Sequence, residues 1–188
     1  MTTAFDTMAK SFADVAVIND QIDAFGFLEA TESLVVILES LGSAFGPVKS
    51  DILGNVKTVR TQLNASPECK TLQALIQKEI NAKQNIAKEA LLWLKRALEF
   101  TSKGLNFEPN QEVSTSFTKA YKETLSQYHS FLIRPIFSVA MKAVPSRSDF
   151  FKSLGGSEKD ERLMTQFNTW RMAMEKIVLI LVAFYDKI

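Results

Sequence analysis

Residues 71–103 decide the fold, and they run TLQALIQKEINAKQNIAKEALLWLKRALEFTSK. Apolar residues recur in this stretch every three or four positions, the spacing that gathers them on one face of an α-helix. Gly104 and Pro109 mark its end, since glycine and proline commonly follow the last turn of a helix. The stretch predicts one long helical region or, as the alternative, two helices with a break near Asn85.

Helical spacing continues in both directions from this stretch. It predicts further helices over residues 25–44, 51–64, 113–126, 128–143, 148–154 and 158–187. Glycines and prolines cluster between these segments, and no strand pattern of alternating apolar and polar residues bounded by turn signals is found. The sequence therefore predicts an all-α fold.

Composition predicts one domain with a large apolar interior. The 188 residues suit a single domain, residues 1–188, and 46% of them are hydrophobic. The chain has fourteen phenylalanines but only three tyrosines and two tryptophans. This excess suits a large apolar core or cavity, because phenylalanine adds bulk without a polar group. A net charge of +1 argues against a nucleic-acid partner, which normally requires a basic excess.

The chain carries features of a cytoplasmic protein. Cys69 is the only cysteine, so no intrachain disulfide can form and a reducing compartment is the simpler expectation. The segment 1–12 lacks the apolar centre of a signal peptide. The longest uninterrupted apolar stretch, 177–185, is less than half of the ~20 residues that a membrane-spanning helix needs.

A polar stripe runs beside the apolar face of the predicted helix 51–64. At about 100° per residue the stripe contains Asp51, Asn55, Thr58 and Gln62. Such a stripe suits the lip of a pocket, where the polar end of an amphiphile meets its apolar end. From the pattern alone, an ordinary solvated helix face is the commoner explanation, because most amphipathic helices look this way.

Two further side chains are candidates for a binding site. Trp93 could present a flat face to a sugar ring or could be a core tryptophan, the role we assign to Trp170. His129 is the only histidine, so it cannot assemble a multi-histidine metal site, but a neutral imidazole can donate one hydrogen bond to a buried carbonyl. A purely structural role for His129 is the alternative.

Common catalytic motifs are missing from the sequence. It contains no Gly-x-Ser-x-Gly elbow, no phosphate-binding glycine loop and no His-Glu-x-x-His. Cys69 and His129 could form a nucleophile and base only if the fold brought them together, and no orienting motif accompanies Cys69. We therefore predict no catalytic residue, metal, cofactor or nucleotide.

Four segments, taken in order, resemble the glycolipid transfer protein family. They are PVKSDILGN at 47–55, LLWLKR at 91–96, HSFLIRPIF at 129–137 and PSRSDF at 145–150. Each motif is weak alone, but the ordered set spans essentially the whole chain with similar spacing. The resemblance implies a two-layer sandwich of about eight helices around a lipid cavity.

The resemblance also implies a role for each candidate residue in binding a glycosphingolipid. Asp51 would accept hydrogen bonds from the ceramide amide and a sugar hydroxyl, and Asn55 would bind further hydroxyls. Trp93 would stack under the first sugar, and His129 would donate to the acyl carbonyl. Tyr185 resembles a sugar-contacting tyrosine near the carboxyl terminus.

Other positions bear on membrane contact and selectivity. Phe131 resembles a membrane-contacting aromatic residue, with Arg134 and Pro135 beside it. The family usually carries lysine where this chain has Thr58, which predicts a weaker sugar contact and looser headgroup selectivity. In the sister branch that carries ceramide-1-phosphate, lysine replaces Asn55 and arginine replaces Trp93.

The function implied by the resemblance is non-enzymatic transfer of glycosphingolipids between membranes. The expected cargo is of the glucosylceramide, galactosylceramide or lactosylceramide type, and the protein would be cytoplasmic and transiently peripheral to membranes. Three alternatives remain: a glycolipid sensor that binds without net transfer, a ceramide-1-phosphate carrier, and a sphingolipid hydrolase.

Overall fold

The computed structural model describes residues 2–188, so Met1, the first residue of the predicted domain, lies outside the described residues. The described part contains nine helices: α1 (Ala24–Ser33), α2 (Val35–Ser40), α3 (Gly46–Asn64), α4 (Leu72–Asn81), α5 (Ile86–Gly104), α6 (Val113–Glu123), α7 (Ile133–Lys142), α8 (Arg147–Ser153) and α9 (Glu161–Tyr185). Short 3-10 helices span Ala4–Asp6, Phe12–Asp14 and Ser43–Phe45. Only Leu34 separates α1 from α2, so the prediction of about eight helices in an all-α fold is confirmed.

A small hairpin is the exception that the sequence did not predict. Strand β1 (Val17–Ile18) pairs antiparallel with β2 (Gln21–Ile22), with Val17 opposite Ile22. Asn19 and Asp20 make the turn at positive φ of 49° and 60°, values that suit a type I′ turn and that asparagine and aspartate tolerate. Strands of two residues are too short to show alternation, so periodicity could not reveal them.

The predicted stretch 71–103 is two helices, as the alternative interpretation held. Lys83 adopts a positive φ of 55°, which helical backbone cannot continue. The buried carboxylate of Glu79 then accepts the backbone N–H groups of Ala87 and Lys88, each at 2.8 Å. These bonds satisfy donors at the start of α5 that have no partner within the helix, so α5 begins where the side chain of α4 caps it.

The predicted helix 128–143 starts five residues late. Its observed counterpart α7 begins at Ile133, which puts Pro135 in the first turn, where the missing N–H of proline does no harm. The prediction of a start at Tyr128 was wrong because proline is tolerated at the beginning of a helix but not inside it. Residues 128–132 instead form an irregular segment between α6 and α7.

Helix α5 lies at the centre of the packing. The most extensive helix–helix contacts join it to α3, α6 and α9. Its buried side chains include Leu91, Leu94 and Leu98, which belong to one continuous apolar core. Because Trp93 lies on the same helix and is only half-buried, the core fixes the backbone that presents this residue.

None of the helices within residues 2–188 combines the length and the apolar character that crossing a bilayer requires.

Candidate functional site

Asp51 and Asn55 lie one turn apart on α3. Buried residues of α3, including Ile52 and Val56, hold the adjacent face of the helix against the core. The Asn55 Nδ2 donates to the backbone carbonyl of Asp51 at 2.9 Å and to Asp51 Oδ2 at 3.3 Å. The two side chains therefore act as a pair, and the Asp51 carboxylate keeps capacity to accept further hydrogen bonds.

Trp93 and His129 meet although they are far apart in the sequence. Their ring centroids lie 6.3 Å apart with an interplanar angle of 21°. Tyr128 packs edge-on against the indole of Trp93 at 6.5 Å. The irregular segment before α7 thus brings an imidazole and a phenol to the exposed side of α5.

The imidazole of His129 is held by groups from α6 and α7. The Tyr121 hydroxyl lies 3.1 Å from His129 Nδ1, and the Phe137 ring centroid lies 4.5 Å from that of the imidazole. When the Tyr121 hydroxyl donates to Nδ1, the proton of the neutral imidazole sits on Nε2, where it can be donated to a ligand. This is the hydrogen-bonding state that the predicted role of His129 requires.

Electrostatics link Asp51 to His129. The Asp51 side chain is exposed, yet the surrounding protein excludes enough water to raise the pKa of its carboxyl, against the smaller lowering effects of His129 and the Asn55 hydrogen bond. Desolvation lowers the pKa of His129, with the Asp51 charge acting in the opposite direction. Each group influences the other, so α3 and the segment before α7 contribute to one partly desolvated site.

Tyr185 lies against the start of α5. Its hydroxyl donates to the carbonyl of Lys88 at 2.7 Å, and burial raises the pKa of this hydroxyl, with the Arg96 charge acting to lower it. Lys88 precedes Trp93 by about one and a half turns of the same helix. Tyr185 therefore supports the helix that carries Trp93, while its direct contact with a sugar stays a prediction.

Thr58 contributes no charge to the polar rim, the name we give to Asp51, Asn55, Trp93 and His129 together. Its Oγ1 donates to the Gly54 carbonyl at 3.1 Å, so the hydroxyl is already engaged by its own helix. The nearby cation Arg60 pairs with Glu32 at 2.8 Å, and Lys57 is exposed. Neither Lys57 nor Arg60 therefore replaces the lysine that the family usually carries at position 58.

Arg96 lies beside the site but was not among the candidate residues predicted from the sequence. Its guanidinium carbon lies 3.6 Å from the ring centroid of Tyr128 and 4.8 Å from that of Trp93, so one cation contacts both rings. The Arg96 Nε is buried without a hydrogen-bond partner within residues 2–188. The spacing of Trp93 and Arg96, three residues apart on one helix, was a usable signal, but Tyr128 becomes visible only in the fold.

Aromatic rings fill the interior behind His129. Phe100 lies 6.4 Å from Tyr121, the partner of His129, and 5.4 Å from Phe117, while Phe45 lies 5.3 Å from Phe117. All these residues are buried. The apolar interior expected to receive a lipid therefore adjoins the polar rim and is occupied by side chains in this structure.

The predicted membrane contacts lie on an exposed apolar surface. Phe131 is 78% exposed, and Arg134 and Pro135 are exposed beside it. We call the exposed apolar residues of this region the α7 apolar face; its members are Phe131, Leu132, Ile133, Ile136 and Val139. Clustered apolar side chains of this size are typical of an interaction surface.

Arg134 also has a structural role that the sequence did not indicate. Its Nε donates to the carbonyls of Ser126 and His129, both at 3.0 Å. These bonds fix the backbone between α6 and α7. The α7 apolar face is thereby connected to the segment that positions His129.

Cys69 lies apart from this constellation. It is buried in the connection between α3 and α4, with its Sγ 4.0 Å from Glu68 Oε1. Within residues 2–188 no cluster of three or more His, Cys, Asp or Glu side chains could hold a metal ion.

Comparison with known proteins gives concordant matches. The profile of the glycolipid transfer protein family matches residues 22–156. A glycolipid transfer protein of Aureobasidium melanogenum is 46% identical over 184 residues, covering 95% of this chain and 90% of the relative. The crystal structure of HET-C2, a fungal glycolipid transfer protein, matches with a TM-score of 0.92 at 41% identity, covering 98% of this chain and 97% of HET-C2. The GLTP-fold with which FAPP2 selects simple glycosphingolipids matches with a TM-score of 0.85 at 34% identity, covering 98% and 95%.

Proposed function

This chain belongs to the glycolipid transfer protein family, a family of lipid transfer proteins, and we propose that it carries single glycosphingolipid molecules between membranes without altering them covalently. One observation supports the proposal above the others. Asp51, Asn55, Trp93 and His129 come from three separate parts of the chain and form a small polar rim next to an apolar interior. That combination matches an amphiphile with one polar end and two hydrocarbon chains.

The rim can recognise the polar end of a glycosphingolipid through hydrogen bonds and stacking. Asp51 accepts hydrogen bonds from the amide N–H and a sugar hydroxyl, and Asn55 supplies both a donor and an acceptor. Trp93 offers a flat apolar surface to the C–H groups of the sugar ring, and His129 Nε2 donates to the acyl carbonyl. A lipid that lacks these groups leaves the rim unpartnered, which is the physical basis of selection.

The apolar interior solves the energetic problem of transfer. Moving a two-chain lipid into water exposes about thirty methylenes at ~0.8 kcal/mol each, a penalty on the order of 20 kcal/mol. A protein interior that opens as the chains leave the bilayer removes most of that barrier. The aromatic rings behind His129 would have to move apart, so loading requires a rearrangement around Phe45 and Phe117.

Ceramide-1-phosphate is a poorer match to this rim. A phosphate needs cationic donors, and a charge-assisted hydrogen bond contributes about 1.5–3 kcal/mol. Here Asn55 and Trp93 are uncharged, the residue one turn before Trp93 is the carboxylate Glu89, and the Arg96 cation lies against the rings of Trp93 and Tyr128. We therefore assign sugar rather than phosphate as the headgroup, with glucosylceramide, galactosylceramide and lactosylceramide as the expected class.

The exposed α7 apolar face supports a transient contact with membrane surfaces. Its side chains can enter the interfacial region of a bilayer and leave again, because the buried area is small compared with that of a spanning helix. A cytoplasmic location is part of the proposal, since the free thiol of Cys69 suits a reducing compartment.

The decisive experiment follows labelled glucosylceramide from donor to acceptor vesicles. Movement of intact lipid supports the carrier, binding without movement would indicate a sensor, and a cleaved product would indicate a hydrolase. Ceramide-1-phosphate in place of glucosylceramide tests the sister-branch alternative directly.

The membrane-docking part of the proposal has its own variant. Phe131→Ala should slow transfer between vesicles and leave binding of dispersed glucosylceramide unchanged, because the side chain is exposed and lies outside the rim. Leu179→Ala on α9 is the matched control, since Leu179 is 62% exposed but belongs to another surface. Equal loss of transfer and binding in Phe131→Ala would contradict a docking role.

A further inference from the structure

A groove of about 460 Å³ between α6 and α7 lies outside the glycolipid site. Three lysines line it, Lys119 and Lys122 from α6 and Lys142 from the end of α7, together with one carboxylate, Glu123. Hydroxyl groups complete the lining, from Ser114, Thr115 and Thr118. We call this feature the α6–α7 lysine groove.

Two of the three lysines carry uncompensated charge. Lys119 pairs with Glu108 at 3.0 Å, and the Glu123 carboxylate lies 3.8 Å from the Lys103 ammonium group. Neither Lys122 nor Lys142 has a side-chain hydrogen bond or ion pair within residues 2–188. Two ammonium groups with several hydroxyl donors around them are a suitable environment for an anionic oxygen group.

The groove continues the α7 apolar face. Lys142 follows Val139 by three residues, so these two side chains are neighbours on the surface of α7. Val139 is 67% exposed and Lys142 is exposed as well. Lys142 lies less than one turn beyond Val139, so a headgroup beside the inserted apolar face is within reach of this lysine.

We propose that the α6–α7 lysine groove binds the headgroup phosphate of an anionic phospholipid in the bilayer, so that the protein docks preferentially on negatively charged membranes. The inference rests on the proposed docking of the α7 apolar face. Phosphatidylcholine suits the groove less well, because its quaternary ammonium group cancels the phosphate charge, whereas phosphatidylserine has a net negative charge and adds a carboxylate that Lys122 or Lys142 can bind. An anionic headgroup satisfies both lysines at the moment when the apolar face inserts.

The test compares the full chain on vesicles of phosphatidylcholine with and without phosphatidylserine. The wild type should bind the phosphatidylserine vesicles more tightly, and Lys122→Gln/Lys142→Gln should lose most of that preference, roughly fivefold per lysine removed. The preference should also fall as salt is added.

A matched control comes from another groove of about 460 Å³, between the β1–β2 hairpin and α9. Lys176→Gln/Lys187→Gln removes the same charge from that groove and should keep the preference for phosphatidylserine. If both double variants lose the preference equally, net charge rather than this groove is responsible. If neither loses it, the inference is wrong.

Two further measurements separate the possible failures. Soluble glycerophosphoserine should compete only weakly; tight binding of it without any preference among vesicles would identify a site for free anions and overturn the membrane assignment. Transfer of glucosylceramide between pure phosphatidylcholine vesicles should be unchanged in Lys122→Gln/Lys142→Gln. Failure of the wild type to transfer glucosylceramide would count against the proposed function. The vesicle-binding measurement would still test the α6–α7 lysine groove, because it does not depend on transfer.

Discussion

Trp170 on α9 and Trp93 on α5 both pack against aromatic rings, but only one of them has neighbours that a ligand could use. Trp170 is 1% exposed, and its indole lies 5.9 Å from Phe5 and 5.8 Å from Phe12, both apolar. Trp93 is half-buried, and its neighbours are the imidazole of His129, the phenol of Tyr128 and the cation of Arg96. We infer that the first cluster stabilises the fold and that the second is arranged for recognition.

Truncating each tryptophan tests most directly whether the Trp170 cluster stabilises the fold and the Trp93 cluster binds a ligand. Trp170→Ala should lower the free energy of unfolding by about 3–5 kcal/mol, because it leaves a cavity in the core. Trp93→Ala should lower it by only about 1 kcal/mol, yet weaken glucosylceramide binding by about 2 kcal/mol, roughly thirtyfold. Urea unfolding and equilibrium binding measure the two effects.

The control for the core cluster is Trp170→Phe, which keeps an aromatic ring and removes an indole N–H that is buried without a partner within residues 2–188. It should be much less damaging than Trp170→Ala. A stability loss for Trp93→Ala as large as that for Trp170→Ala would show that the two clusters do not differ in kind.

Asp51→Asn tests how the charge of the polar rim contributes to binding and to stability. Binding should weaken by about 1.5–3 kcal/mol, because the carboxylate is the strongest acceptor of the rim. Since desolvation raises the pKa of Asp51 in the folded state, the folded protein holds the proton more tightly than the unfolded chain does, and the ionised carboxylate opposes folding at neutral pH. The variant should therefore be no less stable than the wild type at pH 7.

The pH profile provides the check on Asp51. Wild-type binding should weaken as the pH falls through the raised pKa of Asp51, starting at a higher pH than for an ordinary aspartate. The stability difference between Asp51→Asn and the wild type should shrink over the same range. An unchanged pH profile of binding in Asp51→Asn would contradict the assignment of this carboxyl.

A smaller effect is expected from Arg96→Gln. Losing a cation from the faces of Trp93 and Tyr128 removes about 0.5–1 kcal/mol per contact and frees the indole to move. Glucosylceramide binding should fall severalfold, and the fluorescence anisotropy of Trp93, measured in a Trp170→Phe background, should decrease. Arg96→Lys should restore part of both signals; unchanged anisotropy in Arg96→Gln would rule out a positioning role.

The smallest effect is expected at Thr58. Thr58→Lys should add a donor to the rim and strengthen binding by about 0.5–1.5 kcal/mol, the usual net value of one hydrogen bond, with sharper preference among sugars. Thr61→Lys is the matched control, because the Thr61 hydroxyl likewise donates to a carbonyl of α3, at 2.9 Å. Identical affinity and sugar preference in wild type and Thr58→Lys would make the prediction of looser selectivity wrong.

Most of the helices could be predicted because their signal is local. Periodicity found α3 and α9, and the N-cap at Asp160, which accepts the N–H of Leu163 at 3.1 Å, explains where α9 begins. The same signal failed where conformation depends on one residue, as at Pro135 in α7 and at Asn19 and Asp20 in the hairpin.

The candidate site was only partly accessible from the sequence. The polar stripe of one helix singled out Asp51 and Asn55 among four residues, and their binding roles, like those of Trp93 and His129, came from the resemblance to a family. Tyr121 and Arg96 escaped both approaches, because their importance depends on contacts with residues distant in the chain or in an irregular segment.

The sequence by itself determined most of the helices and the apolar faces that join them, because these depend on residue spacing along the chain, and its ordered motifs indicated the family. Only the tertiary structure decided which polar side chains meet, since hydrogen bonds and desolvation depend on distances of a few ångströms between separate segments. It also decided that Ile136 and Val139 of α7 face outward while Leu91, Leu94 and Leu98 of α5 face inward, because the packing of neighbouring elements determines which apolar face of a helix is buried.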